Sequence, residues 1–272
     1  MLYSFCRLLR FLNLKERIAN VTTKQNALGS NRLLNFLPEH IRTQFINYCE
    51  VVSLNLGETA GNSRDIIHYV YFPIEGIISW EKQIVGSPYL VVTLIGNEGM
   101  LCISLMLGVD ITPCRAIVQK AGYALRIATA DFIHQIEHNS ELNVLLKRYL
   151  FVTYNQLLQT TACNLFHVLE KRLARLLLMF QDRSQPNELH ITQELLAQML
   201  GVRRVGVTKA AGALQRKNLI SYSRGNVVIH DTNGLKAASC LCYQADKYTY
   251  AHTLSASVSD LSNTPDNDEM LV

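Results

Sequence analysis

The sequence predicts an α+β protein with three parts: an N-terminal antiparallel β-roll of jelly-roll type, a long helix, and a C-terminal winged helix-turn-helix. Three observations predict this order. Short β-type runs separated by glycine and proline fill residues 51–127, a helical apolar pattern fills 129–164, and 190–220 reads as two helices joined at Gly201. Many short strands with regular turns are typical of barrels and jelly rolls.

Composition and charge indicate a folded chain with a basic C-terminal part. The chain has 272 residues, 49% of them hydrophobic and 18% charged, which suits two domains or one large one. Residues 166–225 hold ten Lys/Arg and four Asp/Glu, whereas 256–272 hold four acids and no Lys/Arg. A basic region beside an acidic tail favours contact with a polyanion, and a merely solvated basic surface is the alternative.

Cysteine usage predicts reduced, buried thiols in a cytoplasmic protein. The seven cysteines form no CxxC pair, and Cys240-x-Cys242 is the closest spacing, so we expect no metal site. Only Cys6 precedes Cys49, so an N-terminal iron–sulfur cluster is not expected. The sequence contains no run of about 20 apolar residues, so a transmembrane helix is not expected.

The N-terminal half divides into an extension and the β-roll. Residues 1–29 are expected to be a poorly ordered extension, and 30–137 form the β-roll domain, with a helix following Pro38. The strands are predicted at 51–54, 66–72, 77–84, 89–95, 115–119 and 123–127. Each is short, β-rich and bounded by turn residues.

Helical structure is predicted over residues 129–164, with Ser140 as an N-cap and a long helix at 138–164. Its apolar side chains cover more surface than one packing stripe needs: Leu142, Leu145, Leu146, Tyr149, Leu150, Val152, Leu157 and Leu158. The surplus indicates a second partner, and burial on the β-roll alone is the alternative. Another helix, 166–180, and a loop, 181–188, then lead into the C-terminal domain at 165–245.

The helix-turn-helix prediction depends on a cap, a glycine and the face of the second helix. Thr192 can cap the first helix, and Gly201 can adopt the left-handed conformation that ends it. In the second helix Arg203, Arg204, Thr208 and Lys209 lie on one side, and the expected packing side is Val205, Val207, Ala211 and Leu214. A helix led by cations fits the major groove of DNA, whereas a helical hairpin with a solvated basic face is the alternative.

A β-hairpin after the second helix favours the winged version of the motif. Residues 218–223 and 227–229 are β-type runs around Arg224-Gly225-Asn226, which places Arg224 at the wing tip near a phosphate. A last helix is predicted at 233–243, and 246–272 as an acidic disordered tail.

These residues resemble a known family. L-A-Q-M-L-G-V-R-R-V-G-V-T, at 196–208, and the winged pattern over 190–230 are similar to the DNA-binding domain of Crp/Fnr transcription regulators, and 31–243 resembles the whole architecture. The resemblance implies a homodimer joined by the long dimerisation helix, double-stranded DNA with a roughly palindromic site, and RNA polymerase as a further partner. It implies base or phosphate contacts for the residues Thr192, Gln193, Arg203, Arg204, Val205, Thr208, Lys209, Arg216 and Arg224. The family's acidic base-reading position falls on Val205, which cannot accept a hydrogen bond, so the resemblance does not carry over the target sequence of the better-known members.

The same resemblance raises cyclic-nucleotide binding, and the residues oppose it. Where the family places a carboxylate and an arginine, this chain has Ser104 and Cys114. Arg115 lies one position after the family's arginine, and in a strand a shift of one residue turns a side chain to the other face. Glu98 lies too far before the loop to replace the family's carboxylate easily. The pocket is therefore expected to be empty, lined for something apolar, or vestigial, with no bound cyclic nucleotide.

A homodimeric transcription regulator is the leading interpretation. An effector-binding signalling module, whose helix-turn-helix mediates protein contacts, is the alternative, and salt-insensitive DNA binding would favour it. An enzyme is not expected, because the chain shows no nucleophile elbow, zinc motif or phosphate loop.

Overall fold

The computed structural model describes residues 31–83, 85–86, 89–184 and 188–255. The predicted extension at 1–29, with Cys6, and the tail residues 256–272 lie outside this part of the chain. The observed class is α+β, as predicted. None of the helices in the described part of the chain combines the length and hydrophobicity that a bilayer crossing demands.

An antiparallel five-stranded sheet forms the N-terminal β-roll. A short 3-10 turn at Leu34–Phe36 and helix α1, Glu39–Asn47, precede strands β1, Glu50–Leu54, β2, Thr59–Gly61, β3, Tyr69–Lys82, β4, Leu90–Ile95, and β5, Arg115–Ala128. The strand order is β1-β5-β3-β4, and β2 also pairs with β5. A second 3-10 turn, Ile103–Leu107, lies between β4 and β5.

Four of the predicted short strands fall, in pairs, on two long strands. The run predicted at 66–72 overlaps β3 at 69–72, and the run predicted at 77–84 overlaps the same strand at 77–82. The runs predicted at 115–119 and 123–127 both lie within β5. The register between β3 and β5 shifts around Pro73, Glu75 and Ile77. Gly76 adopts φ +96°, and a Cβ there would lie 2.7 Å from Lys120 O. Glycine and bulges thus bend paired strands where the sequence pattern indicates a turn.

The helical region predicted at 129–164 consists of two helices in the structure. Helix α2 spans Thr129–His138 and α3 spans Ser140–Phe166, with extended backbone at Asn139. The prediction of Ser140 as N-cap was wrong. Asn139 Oδ1 accepts from Leu142 N at 2.9 Å, and Ser140 is already the first helical residue. Side-chain capping requires the residue just before the first helical turn.

The C-terminal region adds four helices and a three-stranded sheet before its last helix. These are α4, Leu169–Ser184, β6, Glu188–His190, α5, Gln193–Leu200, α6, Arg204–Arg216, β7, Ile220–Ser223, β8, Asn226–Ile229, and α7, Thr232–Ala238. The sheet order is β6-β8-β7, all antiparallel. The hydrophobic core of this C-terminal region includes Ile77, Val91 and Leu94 of the β-roll, so the two parts of the chain pack against each other.

The chain ends, within the described residues, on a helix that the sequence did not predict. Helix α8 spans Cys242–Ser255, so the predicted last helix at 233–243 is α7 plus the start of α8, and 246–255 is not disordered. Tyr243, Asp246, Tyr250 and Leu254 are buried at helical spacing. Because this buried face mixes tyrosine with aspartate and threonine, its apolar periodicity is weak, and the amphipathic signal is lost.

Candidate nucleic-acid interface

The helix-turn-helix has the local geometry that its sequence predicts. Thr192 Oγ1 accepts from Leu195 N at 3.1 Å and thereby caps α5. Gly201 ends that helix at φ +61°, in the left-handed region that a glycine enters without a Cβ clash. Arg203 then precedes α6 with extended backbone, and its side chain makes no capping hydrogen bond to the first turn of that helix.

The packing side of α6 differs from the prediction at one residue. Val207, Ala210, Ala211 and Leu214 are buried, whereas Val205 is 65% exposed. Val205 was therefore wrongly assigned to the packing side. It precedes buried Val207 by two residues, which on a helix is about 200° of rotation, so the two side chains point in different directions.

A polar network brings three predicted DNA-contacting residues together. Gln193 Oε1, at the start of α5, accepts from Arg204 Nε at 3.0 Å and lies 3.1 Å from Thr208 Oγ1. Thr208 Oγ1 also lies 3.2 Å from Arg204 O, one turn earlier in α6. The amide of one helix thus holds an arginine and a hydroxyl of the next helix on a common exposed face.

The wing is a tight hairpin with its charged residue at the tip. Arg224 and Gly225 have φ values of +50° and +84°, which is the type I′ pattern of two-residue hairpins, and Ser223 pairs with Asn226. Ile191 N donates to Gly225 O at 2.8 Å. Strand β6 and the residues leading into α5 therefore place the wing tip beside the first turn of the helix-turn-helix.

Five cations of this region are available to an external anion, whereas Lys217 at the end of α6 pairs with Glu170. Each of the five is exposed, and among the residues that the structure describes none of them has an ion pair with a carboxylate: Arg203, Arg204, Lys209, Arg216 and Arg224. Thr192, Val205 and Thr208 are exposed on the same part of the domain, and Gln193 is half-buried. The surface therefore combines positive charge, hydroxyl donors and one exposed valine.

The charged candidates for an effector pocket have partners within the chain. Glu98 is buried, and its Oε1 lies 2.7 Å from Arg183 Nε of α4. Arg115 forms an ion pair with buried Glu81, and its guanidinium lies 3.8 Å from the centre of the Tyr89 ring. Neither side chain is a free charge inside the β-roll.

The remaining pocket candidates follow the alternation of β5. Cys114 is buried, as are Ala116 and Val118, whereas Arg115 between them is half-exposed. Arg115 therefore lies on the opposite face from Cys114, as the one-residue offset predicts. Burial raises the pKa of the Cys114 thiol, which keeps it neutral. Ser104 lies in the second 3-10 turn, and its Oγ is 3.5 Å from Ile111 O.

Sequence reasoning missed one group of chemically active side chains. Cys163, His167, Cys240 and Cys242 have ligand atoms within 4.8 Å of one another, although no metal site was expected from their spacing. The pKa of the Cys163 thiol is lowered, chiefly because the Cys240 thiol donates a hydrogen bond to it, at an Sγ–Sγ distance of 3.5 Å. The signal was present in the Cys-x-Cys and Cys-x3-His spacings, but folding brings these pairs together across more than seventy residues.

Comparison with known proteins finds a family model that matches the helix-turn-helix and solved structures that share the fold. Residues 171–238 match the family model of the Crp-like helix-turn-helix domain. No curated protein sequence matches the chain.

Several solved structures share the fold at low identity. CLP of Xanthomonas campestris, described as a c-di-GMP responsive global regulator, has a TM-score of 0.58 and 15% identity over 72% of this chain and 100% of that one. TTHB099 of Thermus thermophilus, a CRP family transcriptional regulator, has a TM-score of 0.57 and 15% identity over 69% and 96%. TTHA1359 of the same organism, a CRP/FNR family transcriptional regulator, has a TM-score of 0.51 and 18% identity over 70% and 98%.

Proposed function

We propose, from the premise that this chain carries a Crp-like helix-turn-helix domain on the fold of Crp/Fnr regulators, that it is a homodimeric, sequence-specific DNA-binding transcription regulator. The observation that carries the proposal is the exposed face of α6, where Gln193 holds Arg204 and Thr208 while the five nearby cations have no carboxylate partner among the described residues. Unpaired cations around a helix of groove-fitting size are what a duplex requires.

The individual roles follow from position. Arg204 and Lys209 read or flank base edges, where arginine can pair bidentately with guanine. Val205 stands between them and offers an apolar contact, such as a thymine methyl accepts, in place of a hydrogen-bond acceptor. Thr208 faces the groove with them, and the residues assigned to phosphates and register are Thr192, Gln193, Arg203, Arg216 and Arg224. The first turn of α6, which has no side-chain cap from Arg203, adds backbone amides that favour a phosphate.

Helix α3 supports the homodimer. Besides Phe166 at its end, the large exposed apolar residues of α3 lie at intervals of seven, three, four and seven positions: Val144, Phe151, Tyr154, Leu158 and Leu165. This is the 3.5-residue repeat of a coiled-coil seam, and it is separate from the buried residues that pack on the β-roll. Two copies paired along this seam, over a helix of about 40 Å, would carry two recognition helices to half-sites about 34 Å apart on a palindromic site.

The remaining assignments complete the proposal. The β-roll at 30–137 is the sensor domain, 138–164 is the dimerisation helix and 165–245 is the DNA-binding domain, to which α8 adds residues up to Ser255. We place the protein in the cytoplasm with DNA and RNA polymerase as partners, and assign it no catalytic activity. Because Arg115 and Glu98 are engaged with Glu81 and Arg183, the β-roll does not use them for a cyclic nucleotide.

Selection of bound fragments from a random DNA pool, with purified protein and no added ligand, tests the proposal. We expect enrichment of a near-palindromic site with half-sites about 10 bp apart, and affinity that falls as salt rises. Failure to enrich any sequence at low ionic strength, or binding indifferent to salt, would contradict it and favour the protein-contact alternative.

The dimer is tested separately by Leu158→Glu at the centre of the seam. In a paired helix two buried carboxylates would face each other, so we expect monomers by sedimentation and loss of palindrome binding. Val109→Glu, at an exposed valine of the β-roll, is the matched control and should remain dimeric. A Leu158→Glu protein that stays dimeric would show that α3 does not form the interface.

A further inference from the structure

Four side chains of metal-binding type converge where α3, α4 and α8 meet. Cys163 and Cys240 Sγ atoms are 3.5 Å apart, Cys242 Sγ is 3.4 Å from His167 Nδ1, and all four ligand atoms lie within 4.8 Å of one another. The three cysteines are almost fully buried and form a cluster separate from both hydrophobic cores.

The elements position these side chains without long loops. Cys163 lies in the last turn of α3, and His167 follows directly after that helix ends, with its amide bonded to Cys163 O at 3.1 Å. Cys240 lies between α7 and α8, and Cys242 is the first residue of α8. A thiolate at a helix N-terminus is favoured by the unpaired amides there.

We propose that Cys163, His167, Cys240 and Cys242 bind one zinc ion in a tetrahedral site of three thiolates and one imidazole. Zn–S bonds of about 2.3 Å and Zn–N bonds of about 2.0–2.1 Å place tetrahedral ligand atoms roughly 3.5–3.8 Å apart. The Sγ–Nδ1 distance of 3.4 Å and the Sγ–Sγ distance of 3.5 Å are close to this spacing. The other ligand atoms lie within 4.8 Å of one another, so they would need to move inward by about 1 Å to share one ion.

A single ion fits better than an iron–sulfur cluster. The thiolates of a cluster are separated by several iron and sulfide atoms, whereas these ligand atoms are close enough to share one ion. Four protein ligands also fill a zinc coordination shell, which is the arrangement of a structural site and leaves no position for a substrate.

The surroundings suit the charge of such a site. Three thiolates and a neutral imidazole around Zn²⁺ carry one net negative charge. Arg175 is buried beside Cys163 and pairs with Asp246 at 2.6 Å, while Arg172 has no carboxylate partner among the described residues. Gln159 Nε2 lies 2.9 Å from Cys242 Sγ and can donate to the coordinated sulfur. Such outer contacts orient and stabilise metal ligands.

The site would anchor the C-terminal helix to both halves of the molecule. Beyond Cys242, Tyr243 Oη donates to Asp182 Oδ2 at 2.9 Å in α4, and Tyr250 Oη donates to Glu98 O at 2.8 Å in the β-roll. A cleft of about 760 Å³ beside His167 and Cys242, bordered by Gln159, Lys171 and Tyr248, opens the site to metal and chelators. The zinc ion therefore joins the end of the dimerisation helix to a helix that bridges the domains.

Elemental analysis of the purified full-length protein tests this, and the measurement involves no DNA. We expect about one zinc per chain, and Co²⁺ exchanged into the site should give the visible bands of a tetrahedral thiolate complex. Cys242→Ser should lower zinc below about 0.1 per chain. Cys49→Ser is the matched control, because serine can keep the contact that Cys49 Sγ makes with Phe45 O, and it should retain the metal.

A further variant keeps the test decisive if Cys242→Ser fails to fold. His167→Cys supplies four thiolates, so it should retain about one zinc per chain and shift the cobalt spectrum to that of an all-thiolate site. Full-length protein without stoichiometric zinc and without a tetrahedral cobalt spectrum would overturn the proposal. Two other results would also overturn it: bound iron with the visible absorbance of an iron–sulfur cluster, or a mass spectrum showing a disulfide between Cys163 and Cys240.

Discussion

The β-roll and the helix-turn-helix use their charged residues in opposite ways. In the β-roll, Glu98 is paired with Arg183 and Glu81 with Arg115, and the acids are buried. On the helix-turn-helix face, Arg204 and Lys209 are exposed and have no carboxylate partner among the described residues. A charge that already has a partner inside the chain supports the fold, whereas an unpaired exposed charge can attract an external anion.

Solvation explains the difference. A buried carboxylate without a cation is strongly unfavourable, so Glu98 and Arg183 depend on each other. An exposed arginine keeps its water and loses little by remaining unpaired. The two regions should therefore respond to mutation in different assays, stability for the first and DNA affinity for the second.

The largest expected effect is on stability. Arg183→Leu leaves Glu98 buried without its cation, and we expect the free energy of unfolding to fall by about 3–5 kcal/mol. Urea denaturation measures it. Glu50→Gln breaks the exposed ion pair with Arg126, 2.6 Å long, and should cost about 0–1 kcal/mol. Equal losses in the two variants would remove the distinction between structural and available charges.

A smaller effect is expected on specific DNA affinity. Arg204→Ala should weaken binding to the selected site by about 1–3 kcal/mol, because one bidentate base contact is lost. Its free energy of unfolding should change by less than about 0.5 kcal/mol. Lys236→Ala, an exposed cation of α7 in the same domain, is the control for loss of charge alone. Gel shifts on the selected site and on random DNA that showed equal losses would reduce Arg204 to a backbone contact.

The smallest effect concerns the wing. Arg224→Gln removes one cation at the hairpin tip, so affinity should fall about equally on all sequences, and the logarithmic salt slope should decrease by about 1. Fluorescence anisotropy over a series of salt concentrations measures the slope. A loss confined to the selected site would instead assign Arg224 to base recognition.

Apart from the N-cap, placed at Ser140 one residue too late, the errors at Val205 and α8 concern burial, which packing decides. Thr192 and Gly201 were placed correctly because a cap and a left-handed glycine act within a few residues. Val205 was misassigned because Val205 and Val207 are equally hydrophobic in the sequence, and only the packed structure shows that Val207 is buried and Val205 exposed. Helix α8 was missed because its buried face is rich in tyrosine and polar groups, whose burial depends on partners in α4 and the β-roll.

By itself the sequence determined the fold class, the two helices around Gly201, the hairpin at Arg224 and Gly225, and the reversed face of Arg115. Each depends on the periodicity or backbone preference of neighbouring residues. Only the tertiary structure decided which charges are paired, and only it brought Cys163 and His167 to Cys240 and Cys242. Those contacts join residues far apart in the chain, and distance in space is set by the packing of whole elements, which no local pattern contains.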